Sequence, residues 1–168
     1  MELAEVALET HIAGLRRYAR ALVGRQSESD ELVQECLVRA LARMDRWHEI
    51  NDLRAYLFSI LHNCYIDYTR ERHRLADYRN VASLAPSATL PAQDAHIELN
   101  DLADALEAIS EEQRQVVLLV GLEGLSYQDV ATVLSIPIGT VMSRLSRGRE
   151  ALRRMVETGE RAPLRRSS

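Results

Sequence analysis

Apolar residues recur at three- and four-residue spacing in two long stretches, from Thr10 to about Arg79 and from Ile97 to about Val156. This spacing predicts amphipathic helices, each with one buried face. Between the stretches lies the segment NVASLAPSATLPAQDA, residues 80–95, whose prolines and small polar residues break the pattern. Such a composition is typical of a flexible linker. The chain is therefore predicted to be all-α, with two small helical domains joined by a flexible linker.

The segment LSYQDVATVLSIPIGTVMSRLSRGREALRRM, residues 125–155, predicts a helix-turn-helix. Ser126 and Asp129 have the spacing of a capping box that starts the first short helix. The residue before a proline is disfavoured in a helix, and Pro137 is well placed to begin the next one. Four residues of the first helix are predicted to point inward: Val130, Ala131, Val133 and Leu134.

The second helix of this pair has two opposed faces when its residues are spaced at about 100°. The predicted core face consists of Ile138, Val141, Met142 and Leu145, and the polar face of Thr140, Ser143, Arg144 and Arg147. Arginine can bond a guanine edge with two hydrogen bonds, and hydroxyl groups can reach phosphates or bases. The polar face therefore indicates reading of the DNA major groove, with an ordinary solvated arginine face as the alternative.

Two further amphipathic segments lie in the first stretch. In SESDELVQECLVRALARM, the predicted apolar stripe is Leu32, Val33, Cys36, Leu37, Ala40, Leu41 and Met44. In LRAYLFSILHNCYIDYTRERHR, it is Leu57, Ile60, Leu61 and Cys64. Aromatic rings interleaved with arginine in the second segment would suit an unstacked single strand of nucleic acid. Because aromatic residues at helical spacing are also common in cores, the residues alone leave both interpretations open.

Composition and charge fit a soluble folded protein, with 46% hydrophobic and 27% charged residues among 168. All 21 basic residues are arginine, and the net charge is -4. Acidic residues dominate 98–135 and arginines dominate 136–168, so the acidic total hides a basic end. Neither a membrane span nor a secretory signal is predicted, and we expect a cytoplasmic protein.

The candidate chemistry of the chain is sparse. Cys36 and Cys64 fit no metal-binding spacing and are predicted to be buried, reduced thiols, with a redox sensor as the alternative. The five histidines are scattered, and no glycine-rich phosphate loop occurs. The sequence therefore predicts no catalytic residues, no metal site and no cofactor.

The order of three motifs resembles the sigma-70 family of bacterial transcription initiation factors. DELVQE, LRAYLFSILHNCYIDYTRERHR and LEGLSYQDVATVLSIPIGTVMSRLSRGREAL follow one another, with the proline-containing linker before the third. The resemblance is to the small extracytoplasmic-function (ECF) group, which has only regions 2 and 4, and it spans about residues 10–156. It implies region 2 at 1–79, a linker at 80–96 and region 4 at 97–158, with a disordered tail at 159–168.

The resemblance also implies three partners: core RNA polymerase, promoter DNA and an anti-sigma factor. Region 2 would dock on the clamp helices of the polymerase β′ subunit through Asp30, Glu31, Gln34 and Glu35. It would contact the melted -10 element through Trp47, Asn51, His62, Asn63, Asp67, Arg70 and Arg74. Region 4 would read the -35 element through Thr140, Ser143, Arg144 and Arg147.

Two positions depart from the family pattern. Met142 stands where a lysine is common, which removes one expected phosphate contact, and Tyr56 stands where a tryptophan often occurs. The alternatives to a sigma factor are a decoy that binds an anti-sigma factor without acting at promoters, and a dimeric DNA-binding regulator. The intact DELVQE face and the arginine-bearing helix argue against the decoy, and the lack of an obvious dimerisation heptad argues against the regulator.

Overall fold

The structure, a computed structural model, describes the backbone of residues 2–82 and 104–158 and the side chains of 8–78 and 104–157. Every regular element in these residues is helical, which confirms the predicted all-α class. Residues 83–96 of the predicted linker and the predicted tail at 159–168 lie outside the described residues. Residues 80–82, assigned to the linker from the sequence, belong to a helix.

Region 2 contains three α-helices and one short 3-10 helix. They are α1 (Glu2–Val23), α2 (Gln26–Leu41), the 3-10 helix Met44–Glu49 and α3 (Leu53–Ala82). Their apolar faces meet around Tyr18 and Phe58, whose rings pack edge to face with centroids 5.7 Å apart. Leu57 and Leu61 are fully buried beside them, as the helical period predicts.

The described part of region 4 contains four α-helical segments, of which α7 is the longest, and a π-helical turn. The described part of α4 is 104–108, and it is followed by α5 (Glu111–Val117), the π-helical turn Leu118–Leu122, α6 (Tyr127–Leu134) and α7 (Ile138–Thr158). The Ser110 side chain caps α5 by accepting from the Gln113 N–H at 3.3 Å. Val116, Leu119, Val130 and Val141 are completely or almost completely buried and form the centre of this domain.

The two domains pack against each other rather than lying apart. Buried residues of both belong to one continuous apolar cluster, and α3 of region 2 lies against α6 of region 4. The sequence predicts the two helical units, but it does not predict this contact. The side chains that join the domains are far apart along the chain, and helical periodicity reports only that a face is buried, not what covers it.

Three residues predicted to lie on buried faces are exposed. Ile138 is 44% exposed, Met142 is 53% exposed and Leu41 is 44% exposed. The face of α7 that contacts α5 is centred on Val141, Leu145 and Gly148, so Ile138 and Met142 lie at its edge. Leu41 follows Gln34 by seven residues, which places it on the solvent-facing side of α2.

The prediction that both cysteines are buried is confirmed. Cys36 and Cys64 are free thiols in the core of region 2, and the Cys36 Sγ donates to the Leu57 carbonyl at 3.5 Å. Burial raises the pKa of Cys36 to about 12, so this thiol stays protonated at neutral pH. Within the described residues no helix is long and apolar enough to cross a bilayer.

Candidate functional site

The helix-turn-helix forms as its local signals predict. The Asp129 N–H donates to the Ser126 Oγ at 3.1 Å and starts α6. Ser135 ends that helix in the left-handed conformation, with φ at 53°. The Pro137 carbonyl then accepts from the Thr140 N–H at 2.9 Å and opens α7. All four residues of α6 that were predicted to point inward are buried.

The outward face of α7 carries only part of the predicted polar face. Ser143 and Arg147 are exposed, and Thr140 is half-buried. Arg144 turns toward α5, where its Nη2 lies 2.9 Å from the Glu112 Oε2 and its side chain is only 23% exposed. Arg144 is thus held in a partly exposed ion pair, and the Ser143 Oγ donates to the Thr140 carbonyl at 3.1 Å, whereas Arg147 has no such side-chain partner among the described residues.

Two outward residues of α7 were not among the predicted DNA contacts. Met142 and Ser146 are both exposed, and they line a groove of about 420 Å³ together with Tyr127 and Arg149. Their position follows from the packing of Gly148 against Val117, a tertiary contact that the sequence does not report. It rotates the inner face of α7 away from Met142, so the outer face centres near Ser143 and Ser146.

The four residues predicted to meet the polymerase all lie exposed on α2. These are Asp30, Glu31, Gln34 and Glu35. Asp30 accepts from Gln26 at 3.0 Å, and Glu35 accepts from Arg39 at 2.7 Å. Val38, 56% exposed, follows Gln34 by one helical turn and shares its face with Leu41. The surface is therefore a carboxylate row with an apolar patch, and the sequence reading missed the apolar part.

The residues predicted to contact the -10 element are divided between an open surface and buried positions. Asn51, Asn63, Asp67, Arg70 and Arg74 are exposed. Asp67 accepts from the Arg39 Nη1 at 3.0 Å, which links this surface to α2. Trp47 is half-buried, and its indole N–H donates to the Ala40 carbonyl at 3.1 Å. This hydrogen bond attaches the 3-10 helix to α2.

His62 lies at the contact between the domains. It is half-buried, and its Nδ1 has no hydrogen-bond partner among the described residues. Burial lowers its pKa, and the nearby Glu111 of α5 opposes that shift. Tyr65, one turn further along α3, is also buried, and burial raises its pKa to about 12. Region 4 thus covers one side of α3, and the other side of α3 is exposed to solvent.

Comparison with known proteins identifies the family that has this architecture. The family model for the sigma2 domain of PhyR matches residues 8–62, and the model for sigma-70 region 4 matches residues 99–152. The ECF RNA polymerase sigma factor EcfG of Rhodopseudomonas palustris is 36% identical over 141 residues, which cover 84% of this chain and 78% of the relative. The chain belongs to the ECF sigma factors of the sigma-70 family.

Solved structures extend the likeness of this sigma factor to its anti-sigma-bound relatives. The sigma factor RpoE of Bartonella quintana, in complex with the anti-sigma factor NepR, has a TM-score of 0.80 and is 31% identical. The match covers 95% of this chain and all of that one (100%). The anti-anti-sigma factor PhyR of the same organism, complexed with NepR, shares the fold with a TM-score of 0.57 at 17% identity. That match covers 91% of this chain and 50% of PhyR.

Membership of the family also settles the question of catalysis. Sigma factors are not enzymes, so the acidic and histidine side chains of this chain have no catalytic role. Within the described residues no group of three His, Cys, Asp or Glu side chains could hold a metal ion. Most of the residues that the sequence analysis predicts for binding lie on exposed faces of α2, α3 and α7.

Proposed function

We propose that this sigma factor binds core RNA polymerase through α2 and directs promoter-specific initiation. Exposed Asp30, Glu31, Gln34 and Glu35 would meet the clamp helices of the β′ subunit. The open side of α3 would contact the melted -10 element, and the outer face of α7 would enter the major groove at the -35 element. The likeness to EcfG over most of the chain supports this proposal.

The observation that carries the proposal is the separation of acidic and basic surfaces. The proposed polymerase face is a carboxylate row, whereas Arg70 and Arg74 on α3 and Arg147 on α7 are exposed cations at the proposed DNA surfaces. Few arginines reach DNA, so counterion release favours only weak binding by the free protein. Core polymerase would hold both modules on one platform, and their combined affinity would rise through effective concentration.

Transcription by purified core polymerase on a pool of promoter fragments tests the proposal. The sigma factor should produce specific initiation that Gln34→Ala and Arg147→Ala each reduce. Arg25→Ala is the matched control, because Arg25 is a 62% exposed arginine outside all three surfaces. A folded protein that neither binds core polymerase nor initiates would refute the proposal.

Control by an anti-sigma factor is the second part of the proposal. The complex of RpoE with NepR supports it, because that sigma factor matches this chain over nearly its whole length. The match of residues 8–62 to the sigma2 domain of PhyR favours one other function, a decoy for an anti-sigma factor. A decoy would bind the anti-sigma factor but would give no initiation with core polymerase, so the same transcription assay separates the two functions.

A further inference from the structure

A buried carboxylate joins the two domains. Glu123, at the end of the π-helical turn in region 4, has a completely buried side chain. The Arg17 guanidinium of α1 donates two hydrogen bonds to this carboxylate, from Nε to Oε1 at 3.2 Å and from Nη2 to Oε2 at 3.0 Å. The Arg54 Nη2 of α3 lies 3.6 Å from Oε2 and also donates to the Glu123 backbone carbonyl. Two arginines of region 2 thus hold one carboxylate of region 4.

The region 2 surface is shaped to receive this carboxylate. A Cβ atom on Gly14 would lie 2.7 Å from the Glu123 Oε2, so glycine at this position is what lets the carboxylate reach α1. The Arg54 guanidinium lies over the Phe58 ring, 5.8 Å from its centroid, which fixes its approach. A buried carboxylate is stable only when it is well paired, and two-point pairing with arginine is the geometry that meets this need.

Elsewhere in the contact between the domains, Tyr65 of α3 hydrogen-bonds with Glu111 and Arg114 of α5, but three buried polar atoms nearby are left unsatisfied. The Tyr18 hydroxyl, the His62 Nδ1 and the Arg114 Nε are buried without a hydrogen-bond partner among the described residues. Tyr18 and His62 both lie near Glu111 of α5, and Arg114 lies near Tyr18. Unpaired buried polar groups cost free energy that water returns when they are exposed. These unpaired groups offset part of the stability that the shared apolar cluster gives to the closed arrangement, so the charged cluster matters for keeping the domains together.

The two domains, as they pack in this structure, are too close together to reach both promoter elements. The -35 and -10 elements are roughly 25 base pairs apart by their names, on the order of 85 Å at about 3.4 Å per base pair. A compact chain of this length has a radius of gyration of about 15 Å. Region 4 also covers His62 and Tyr65 on α3. The packed domains therefore cannot occupy both elements at once.

We propose that Arg17, Glu123 and Arg54 form an interdomain latch that keeps this sigma factor closed and must release before promoter engagement. This inference rests on the proposed function for its consequence, but the latch itself is a property of the free protein. Only molecules whose domains have separated can bind core polymerase productively. The latch therefore raises the apparent dissociation constant for the polymerase, which equals the intrinsic constant divided by the fraction of open molecules. Weakening the latch should therefore raise binding and initiation together.

Small-angle scattering of the free, full chain measures closure directly. Glu123→Gln keeps the shape of the side chain and removes its charge, and Gly14→Ala pushes the carboxylate away from α1. Both variants should have a larger radius of gyration than the wild-type protein and the same helical content. Glu150→Gln, in an exposed pair with Arg153, and Gly121→Ala, with open space around its Cβ position, are the matched controls. They should leave the radius unchanged.

Binding to core polymerase and initiation at limiting sigma factor provide the second readout. Both should rise several-fold for Glu123→Gln, with no change for Glu9→Gln, which alters an exposed carboxylate of α1 outside the three proposed binding surfaces. A wild-type protein that is already extended, or a folded Glu123→Gln that stays compact, would overturn the latch. Expansion without tighter polymerase binding would overturn its inhibitory role. If Glu123→Gln loses helical content, Arg17→Gln decides the matter, because the half-exposed Arg17 can lose its charge without leaving a buried cavity.

The two proposals fail in different ways. If the wild-type protein gives no initiation but Glu123→Gln expands, the latch holds and the proposed function is wrong. If the wild-type protein initiates and the variants remain compact, the sigma function holds and the latch is wrong.

Discussion

Gly148 offers a sharp test of how α7, the proposed DNA-reading helix, is supported. It lies in the middle of α7, buried against α5, and a Cβ atom there would lie 2.7 Å from the Val117 Cγ2 and 3.4 Å from the Gln113 Cβ. Carbon atoms in good contact are about 3.5–4.0 Å apart. Val117 cannot easily turn away, because a β-branched side chain in a helix has one strongly preferred rotamer. Gly148→Ala should therefore force α5 and α7 apart.

The expected magnitude is a difference between two opposing effects. Alanine in place of glycine inside a helix stabilises it by about 1 kcal/mol. Overpacking a close contact costs about 1–3 kcal/mol. We expect Gly148→Ala to lower the free energy of unfolding by about 1 kcal/mol, although the helix propensity alone predicts a gain.

A double-mutant cycle with Val117→Ala isolates the close contact. In the Val117→Ala background the clash is absent, so Gly148→Ala should stabilise by up to about 1 kcal/mol. Urea unfolding of the four proteins gives the coupling, which should be about 2 kcal/mol when the overpacking cost is in the middle of its range. Gly139→Ala, in the same helix with open space at its Cβ position, is the control and should not destabilise. Stabilisation by Gly148→Ala in the wild-type background, or additive effects in the cycle, would refute the reasoning.

Two further predictions concern the helix start and pH. Ser126→Ala removes the acceptor of the Asp129 N–H and should lower the free energy of unfolding in urea by about 1 kcal/mol. Ser146→Ala, at an exposed position, is the control and should change stability little. Equal effects of the two substitutions would contradict the capping role of Ser126. Burial lowers the pKa values of His62 and His11, so the unfolded chain binds more protons near the usual histidine pKa. Stability is full above about pH 6.5 and should fall as pH drops toward the folded values. His62→Leu should flatten that slope in part, and an unchanged slope would show that His62 does not contribute to it.

Local signals account for what the sequence predicted well. The Ser126 cap, the break before Pro137 and the inward stripe of α6 each depend on residues within one or two helical turns. The backbone must satisfy its terminal N–H groups and avoid the proline ring wherever the segment lies in the fold. The helix-turn-helix could therefore be placed almost to the residue without knowledge of its surroundings.

The contact between the domains could not be predicted in this way. Arg17 and Glu123 are 106 residues apart in the chain, and neither belongs to a motif that marks an ion pair. Gly14 looks like an ordinary helical glycine until its distance from the Glu123 Oε2 is known. The same limit explains the errors on α7. Its angular pattern gives the order of residues around the helix, but the packing of Gly148 against Val117 decides which side faces inward.

The position of Arg144 shows how the fold would shape its proposed contact with DNA. Its 2.9 Å ion pair with Glu112 joins a largely buried arginine to a 66% exposed carboxylate. A partly exposed pair of this kind contributes roughly 0–1 kcal/mol, whereas a bidentate contact to guanine discriminates by about 1–3 kcal/mol. At the proposed -35 contact, a correctly placed guanine would be enough to offset the loss of the Glu112 pair. On the proposed function, the ion pair with Glu112 would favour Arg144 as a contact to a base, and the exposed Arg147, which has no such partner among the described residues, would suit the less selective attraction to phosphate.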